Sequence, residues 1–264
     1  VTIPANATGY VIVNVDGTNY TVNTTNGNGS ITIKGLGNTT HTVHVTYIGD
    51  DQYLPSENET TFGIAKANTT IAIAVESIDY GQKANITVTV KDDATGYITI
   101  KIGEDWSTTL PVVNGTVNWI VDNLPAGNYT VQAEYLGDDK YNVNATDKDF
   151  EVRQISPEIK IIRVISTAGE NATIIVEIDP RTTENITVHV DKDYSVKPVD
   201  GIAVVTTDVL DYGTYTVNAS YAGDKNFTKD YDIYEFITNQ TDDYLINITA
   251  SDIEVGDNTN ITVN

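Results

Sequence analysis

From Ile71 onward bulky apolar positions alternate with small or polar ones, with a period of two. Ile71, Ile73 and Val75 are separated by Ala72 and Ala74, and Ile86, Val88 and Val90 by Thr87 and Thr89. Ile98, Ile100 and Ile102 follow, then Val117, Trp119 and Val121, then Tyr129, Val131, Ala133 and Tyr135, and last Phe150 and Val152. Successive side chains of a strand point to opposite faces, so this pattern predicts strands that each bury one face. Tyr80-Gly81, Asp92-Asp93, Asn114-Gly115, Pro125-Ala126-Gly127 and Gly137-Asp138-Asp139 fall between them and predict turns. About seven short strands joined by such turns make a β-sandwich.

The same unit occurs three times. Gly49-Asp50-Asp51-Gln52-Tyr53 returns as Gly137-Asp138-Asp139-Lys140-Tyr141, 88 residues later, and as Gly223-Asp224-Lys225-Asn226-Phe227, a further 86 on. Ala7-Thr8-Gly9-Tyr10 returns as Ala94-Thr95-Gly96-Tyr97. Gly81, Gly169 and Gly256 each lead into a strand-like run. One period therefore governs the chain. It predicts an all-β protein of tandem sandwich domains: 1–65 lacking its first strands, 66–153 and 154–237 complete, and 238–264 holding the first strands of a further domain. The linkers Ala65-Lys66-Ala67 and Arg153-Gln154-Ile155-Ser156-Pro157 are short and not rich in Gly or Ser, so neighbours should be restrained.

Leu124-Pro125-Ala126-Gly127-Asn128-Tyr129-Thr130-Val131 has the form of a tyrosine corner, in which a Tyr entering the sixth strand hydrogen-bonds nearby backbone. Tyr215 occupies the same place in the third copy and His41 in the first. Together with the Ala-Thr-Gly-Tyr-Ile turn and the Gly-x-Tyr-Thr-Val run leading to Gly-Asp, this pattern resembles the bacterial Ig-like repeat region of adhesin-like cell-surface proteins of methanogenic archaea. The resemblance extends over essentially the whole chain. It implies tandem immunoglobulin-like sandwiches, a cell-surface location and an adhesive or stalk role. The third copy departs from it, with Thr183-Glu184-Asn185-Ile186 at the Ala-Thr-Gly-Tyr turn, which argues against a binding site shared at that turn.

Composition narrows the function. Against 15 Lys and Arg stand 37 Asp and Glu, a formal charge of −22, and such a surface repels nucleic acid and anionic membranes. With no Cys there is no disulfide and no thiolate metal site, and with no Met residue 1 is not a translation start, so the sequence reads as part of a longer protein or one whose leader has been removed. No run is long and apolar enough to span a membrane.

Of 25 Asn, 18 precede a hydroxyl residue by two positions: Asn6, Asn19, Asn23, Asn28, Asn38, Asn58, Asn68, Asn85, Asn114, Asn128, Asn144, Asn171, Asn185, Asn218, Asn226, Asn239, Asn247 and Asn260. Random order would give roughly five such N-glycosylation sequons. Alternation on a strand explains Asn85-Ile86-Thr87, since both polar residues point outward, but not turn sequons such as Asn28-Gly29-Ser30 or Asn114-Gly115-Thr116. Covalent N-glycans on an extracellular protein are the expectation.

Catalytic parts are scarce. The three His are His41, His44 and His189; the first two are three apart on one strand and face opposite ways. Asp50, Asp51, Asp138 and Asp139 are the calcium candidates, but Lys225 replaces the second acid in the third copy, and a Gly-Asp turn in which Asp caps backbone amides is the simpler reading. Lys83 aligns with Asn171 and Asn258, so no Lys and Asn pair repeats for an isopeptide cross-link. The expectation is no enzyme and no cofactor beyond glycans. Carbohydrate or cell binding through Trp106 and exposed Tyr is the alternative, and an accessory region of a secreted enzyme is another. The expected partners are neighbouring copies of the repeat and a partner-cell surface. The ends fall out of phase with the fold, which an excerpt from a long array explains, or head-to-tail strand donation in which Ile246-Asn247-Ile248 and Ile261-Thr262-Val263 complete the first half-domain of another copy.

Overall fold

The computed structural model describes residues 1–240, 248–250, 254–256 and 261–263; Asn247 and Asn260 of the sequons, and Ile246, lie outside them. The described elements are all strands. The first repeat forms β1 (Tyr10–Val15), β2 (Thr18–Asn23), β3 (Thr40–Tyr47) and β4 (Ser56–Gly63). The second forms β5 (Ala72–Ala74), β6 (Ile78–Asp79), β7 (Ala84–Thr89), β8 (Tyr97–Ile102), β9 (Trp106–Pro111), β10 (Thr116–Val121), β11 (Gly127–Tyr135) and β12 (Asn144–Arg153). The third forms β13 (Lys160–Ile165), β14 (Glu170–Glu177), β15 (Ile186–His189), β16 (Asp193–Val196), β17 (Ile202–Leu210), β18 (Gly213–Tyr221) and β19 (Asp230–Thr238). Then come β20 (Ile248–Thr249) and β21 (Thr262–Val263).

The second repeat shows why the alternation folds as it does. Ile86, Val88, Ile98, Ile100, Ile102, Val117, Val121, Val131, Ala133, Tyr135, Phe150 and Val152 are all buried. They come from the facing sides of two sheets, ordered β10-β7-β5 and β6-β12-β11-β8-β9. The third repeat has sheets β13-β14-β17 and β16-β15-β18-β19 around Ile174, Val176, Ile186, Val188, Val217, Ala219, Tyr221 and Phe227. Burying a Val, Ile or Phe side chain contributes about 1.5–3 kcal/mol, so these facing rows dominate the stability of each sandwich.

The first repeat has one sheet, β2-β1-β3-β4. Val43 and Val45 on its inner side are half-buried, where the matching Val131, Ala133, Val217 and Ala219 are buried. The short pair β20–β21 sets Ile248 opposite Val263 and Thr249 opposite Thr262, the register that Ile73 with Val88 and Ala74 with Thr87 hold in β5–β7.

By packing, the chain divides into two compact units. One comprises Val1–Ser77, Lys83–Asp122 and Asn128–Glu151; the other Ile78–Gln82, Asn123–Gly127 and the residues from Val152 onward.

Candidate functional site

The feature common to all three repeats is the Gly-Asp turn that follows β3, β11 and β18. Gly49, Gly137 and Gly223 have φ of 86°, 81° and 91°. A Cβ on them would sit 2.9–3.0 Å from the carbonyl oxygens of Tyr53, Tyr141 and Phe227, so only glycine lets the chain close this tightly. The next residue is the Asp, and one of its oxygens closes the turn. Oδ1 of Asp50 accepts the amides of Gln52 at 2.8 Å and Tyr53 at 2.7 Å. Asp138 does the same with Lys140 and Tyr141, and Asp224 with Asn226 and Phe227.

The second oxygen reaches the turn before the antiparallel neighbour in the same sheet. Oδ2 of Asp50 accepts the amide of Thr8 at 2.7 Å and its hydroxyl at 3.2 Å. Asp138 takes the Thr95 amide at 2.7 Å and hydroxyl at 2.9 Å. Asp224 takes both groups of Thr183, each at 3.1 Å. Thr183 keeps the role of Thr8 and Thr95 although the residues after it differ, so the turn is shared by all three repeats as a structural lock. Glu184 and Asn185 differ from the residues that follow Thr8 and Thr95, which masks the shared Thr in the sequence.

These donors hold the carboxylates ionised. For Asp50 the Thr8 amide is the largest influence, and with the Gln52 and Tyr53 amides it outweighs burial and places the group well below the usual carboxylate range. For Asp138 and Asp224 burial is the largest single influence and opposes ionisation, yet the accepted hydrogen bonds together prevail and both are lowered. A tyrosine packs beside each lock, and in the first and third repeats its hydroxyl bonds to it. Tyr47 donates to the Thr8 carbonyl at 2.9 Å, and Tyr221 donates to Oδ2 of Asp224 at 2.7 Å. Burial and then Asp224 push the Tyr221 phenol up to about 12. Tyr135 is enclosed beside Asp138, and burial pushes its phenol up as well. The calcium candidates Asp50 and Asp138 therefore each accept four hydrogen bonds already, while Asp51 and Asp139 are exposed. Among the described residues no three His, Cys, Asp or Glu are grouped to hold a metal ion.

The corner residues occupy the same place in each repeat. The Tyr215 hydroxyl donates to the Asp211 carbonyl, four residues upstream, at 3.2 Å, and its ring stacks on Phe236. The Tyr129 ring stacks on Phe150. His41 is buried and sets Nε2 2.8 Å from the Gly37 carbonyl, again four residues upstream, and Nδ1 2.5 Å from Oδ2 of Asp16. Hydrogen bonding between them raises His41 and lowers Asp16. Asp16, in the β1–β2 turn, had no mark in the sequence beyond its acidic type. His44 is half-buried and faces Glu57, and His189 pairs with Asp193 at 2.7 Å.

The sequons separate by exposure. Asn6, Asn19, Asn23, Asn28, Asn38, Asn58, Asn68, Asn85, Asn114, Asn128, Asn171, Asn185 and Asn239 are exposed, whereas Asn144, Asn218 and Asn226 are half-buried. Asn144 donates Nδ2 to the Thr69 carbonyl at 2.6 Å and accepts the Ala145 amide at 2.9 Å. Exposed Asn171 is nevertheless engaged, its Nδ2 2.6 Å from the Thr207 carbonyl. Trp106 is half-buried and meets Tyr129 edge-on at 86°, so the two rings make no coplanar platform. Trp119 is half-buried between Val117 and Val121 on β10.

Facing sheets, the corner and the repeated lock define a tandem array of immunoglobulin-like β-sandwiches. Residues 71–153 match the family model described as Bacterial Ig-like domain (group 3). Solved structures resemble the chain at low overall superposition. Fibronectin(III)-like modules of Clostridium thermocellum CbhA are 15% identical, with a TM-score of 0.28, covering 65% of this chain and 95% of theirs. Chicken CNTN1 FN1-FN3 domains are 11% identical, with a TM-score of 0.25, covering 87% and 88%. Titin domains A168-A170 are 12% identical, with a TM-score of 0.31, covering 90% and 96%. No curated protein matches the sequence. Among the described residues no helix is long and apolar enough to cross a membrane.

Proposed function

We propose that this chain is a non-catalytic structural array of Ig-like domains, with domains at 1–65, 66–153 and 154–237 and the start of another at 238–264. It works at the cell surface as a glycan-bearing stalk or fibre of an adhesin-like protein. The observation that carries this reading is the lock itself. The Asp constellation found in all three repeats spends both carboxylate oxygens on fastening a turn to the start of the neighbouring strand, as suits a tension-bearing repeat and leaves neither oxygen free for a ligand. Backbone ladders and aliphatic cores then resist extension along the chain.

Single-molecule pulling tests it. Each complete repeat should unfold as a separate event, releasing about 30 nm of chain for some 88 residues. Smooth extension without discrete events would overturn the stalk reading. Intact mass of native material before and after deglycosylation tests the glycans.

A further inference from the structure

Beside each lock, three positions hold different side chains in the three repeats: Asn6, Gln52 and Tyr53; Asp93, Lys140 and Tyr141; Arg181, Asn226 and Phe227. The first two sets close on themselves. The Tyr53 hydroxyl donates to Oδ1 of Asn6 at 2.6 Å, and Nδ2 of Asn6 donates to Oε1 of Gln52 at 3.4 Å. The Tyr141 hydroxyl donates to Oδ1 of Asp93 at 2.7 Å, and Lys140 pairs with the other oxygen of Asp93.

The third set is open. Phe227 has no hydroxyl to give. Arg181, gripped by Asp179 through Nε at 3.0 Å and Nη2 at 2.7 Å, lies 5.0 Å over the Tyr80 ring and 5.6 Å over the Phe227 ring. Tyr80 meets Phe227 edge-on at 5.4 Å. Oδ1 of Asn226 accepts the Ala126 amide at 2.9 Å. A Cβ on Gly81 would come within 2.6 Å of Nη1 of Arg181, so glycine admits the guanidinium. All these residues belong to one compact unit, which includes Ile78–Gln82 and Asn123–Gly127. The inserted turn is itself braced, the Tyr80 amide donating to the Arg153 carbonyl and Arg153 pairing with Asp79. At the turns equivalent to Tyr80-Gly81 the residues are Ala168-Gly169 and Val255-Gly256.

We propose that Arg181, Asn226 and Phe227 form a docking socket for the Tyr-Gly turn of the preceding repeat, and that Tyr80-Gly81 is its matched key. A guanidinium in contact with two rings that also touch each other edge-on, with one backbone amide captured alongside, suits that turn better than a charged ligand, since Asp179 already balances the guanidinium. In the first two repeats the side chains that grip the turn here are replaced by ones that bond to each other. Docking between neighbours is thus written repeat by repeat at these positions, while the lock beside them stays constant. These contacts lie within the chain and do not depend on where the protein works.

Amide hydrogen exchange on the full chain tests it. Asn226→Ala should speed exchange at the Ala126 amide about tenfold, with Val131, Ala133, Val217 and Ala219 unchanged as controls for folding. Tyr80→Ala and Arg181→Ala should each loosen residues 78–82 and 123–127, and the double variant should loosen them no more than either alone. The triple variant R181D/N226K/F227Y, which installs the closed set of the second repeat, should release the turn with both cores still protected. Unchanged exchange at 123–127 in Asn226→Ala, or additive effects of Tyr80→Ala and Arg181→Ala, would overturn the socket. Should the triple variant fail to fold, the single variants still decide.

Discussion

Thr183 gives Asp224 both its amide and its hydroxyl, each at 3.1 Å, across 41 residues of sequence. The bond is non-local, so it forms only once the two turns have been brought together by the sheets, and it fixes which turn faces which. Thr8 with Asp50 and Thr95 with Asp138 repeat it over 42 and 43 residues. The remaining acid of the Gly-Asp-Asp turn has no such duty, and Lys225 takes its place in the third repeat.

Asp138→Asn should therefore destabilise the second repeat by about 1–3 kcal/mol, toward the lower end because the carboxylate is partly solvated. An amide can accept through one atom only, and its NH2 would face the Thr95 amide or those of Lys140 and Tyr141. Asp139→Asn, at an exposed position, should stay within about 0.5 kcal/mol. Urea denaturation of the two variants checks this; equal effects would show that the lock carries no stability.

Acid should undo the locks. Asp50, Asp138 and Asp224 are lowered from the ordinary 3.8. A carboxylate with a depressed folded pKa contributes stability above its unfolded value and loses it as pH falls through the folded value. The urea midpoint should hold above pH 4 and drop progressively below 3.8. Asp224→Asn should flatten that acid slope by about one proton. An unchanged slope would remove Asp224 from the titration.

Much of this is legible in the sequence, and each part that is not has its own physical reason. Alternation gave the strands because Ile98, Ile100 and Ile102 can bury together only in an extended chain. Tyr215 was readable as a corner because its partner, Asp211, lies four residues away. The Thr partner of each lock was not, because 41 to 43 residues separate it from its Asp. Asn144 looked like any other sequon, since its bond to the Thr69 carbonyl joins distant segments. The socket at Arg181 was invisible for a different reason: comparing repeats exposes what they share, and this contact depends on where they differ.

His41 should titrate with the opposite sign to the lock acids. The hydrogen bond to Asp16 raises it above 6.5, with the Gly37 carbonyl helping and burial opposing. Its stabilising contribution is present below the unfolded value and is lost as pH rises through the raised one. Asp16, lowered, loses its share on the acid side. The pair is therefore at full strength between the two ordinary values, 3.8 and 6.5. NMR titration should find the His41 ring titrating above 6.5, and Asp16→Asn should bring it down; a His41 value unmoved by Asp16→Asn would break the assignment.

The sequons offer a sharper division than exposure alone. Asn128 points outward from β11 and can carry a large substituent without touching the core. Asn144 has both ends of its amide engaged, with Nδ2 on the Thr69 carbonyl and Oδ1 on the Ala145 amide. Attaching a sugar to that nitrogen would consume one of its hydrogens and place bulk in the seam between β12 and the segment leading to β5. A folded chain should therefore carry glycan at Asn85 and Asn128 and none at Asn144. The same geometry separates the substitutions: Asn128→Gln should be silent within about 0.5 kcal/mol, whereas Asn144→Gln should cost about 1–3 kcal/mol by leaving a carbonyl and an amide without partners. Glycopeptide mapping of native material and thermal melts of the two variants test the two halves separately, and full occupancy at Asn144 in folded protein would sink the first.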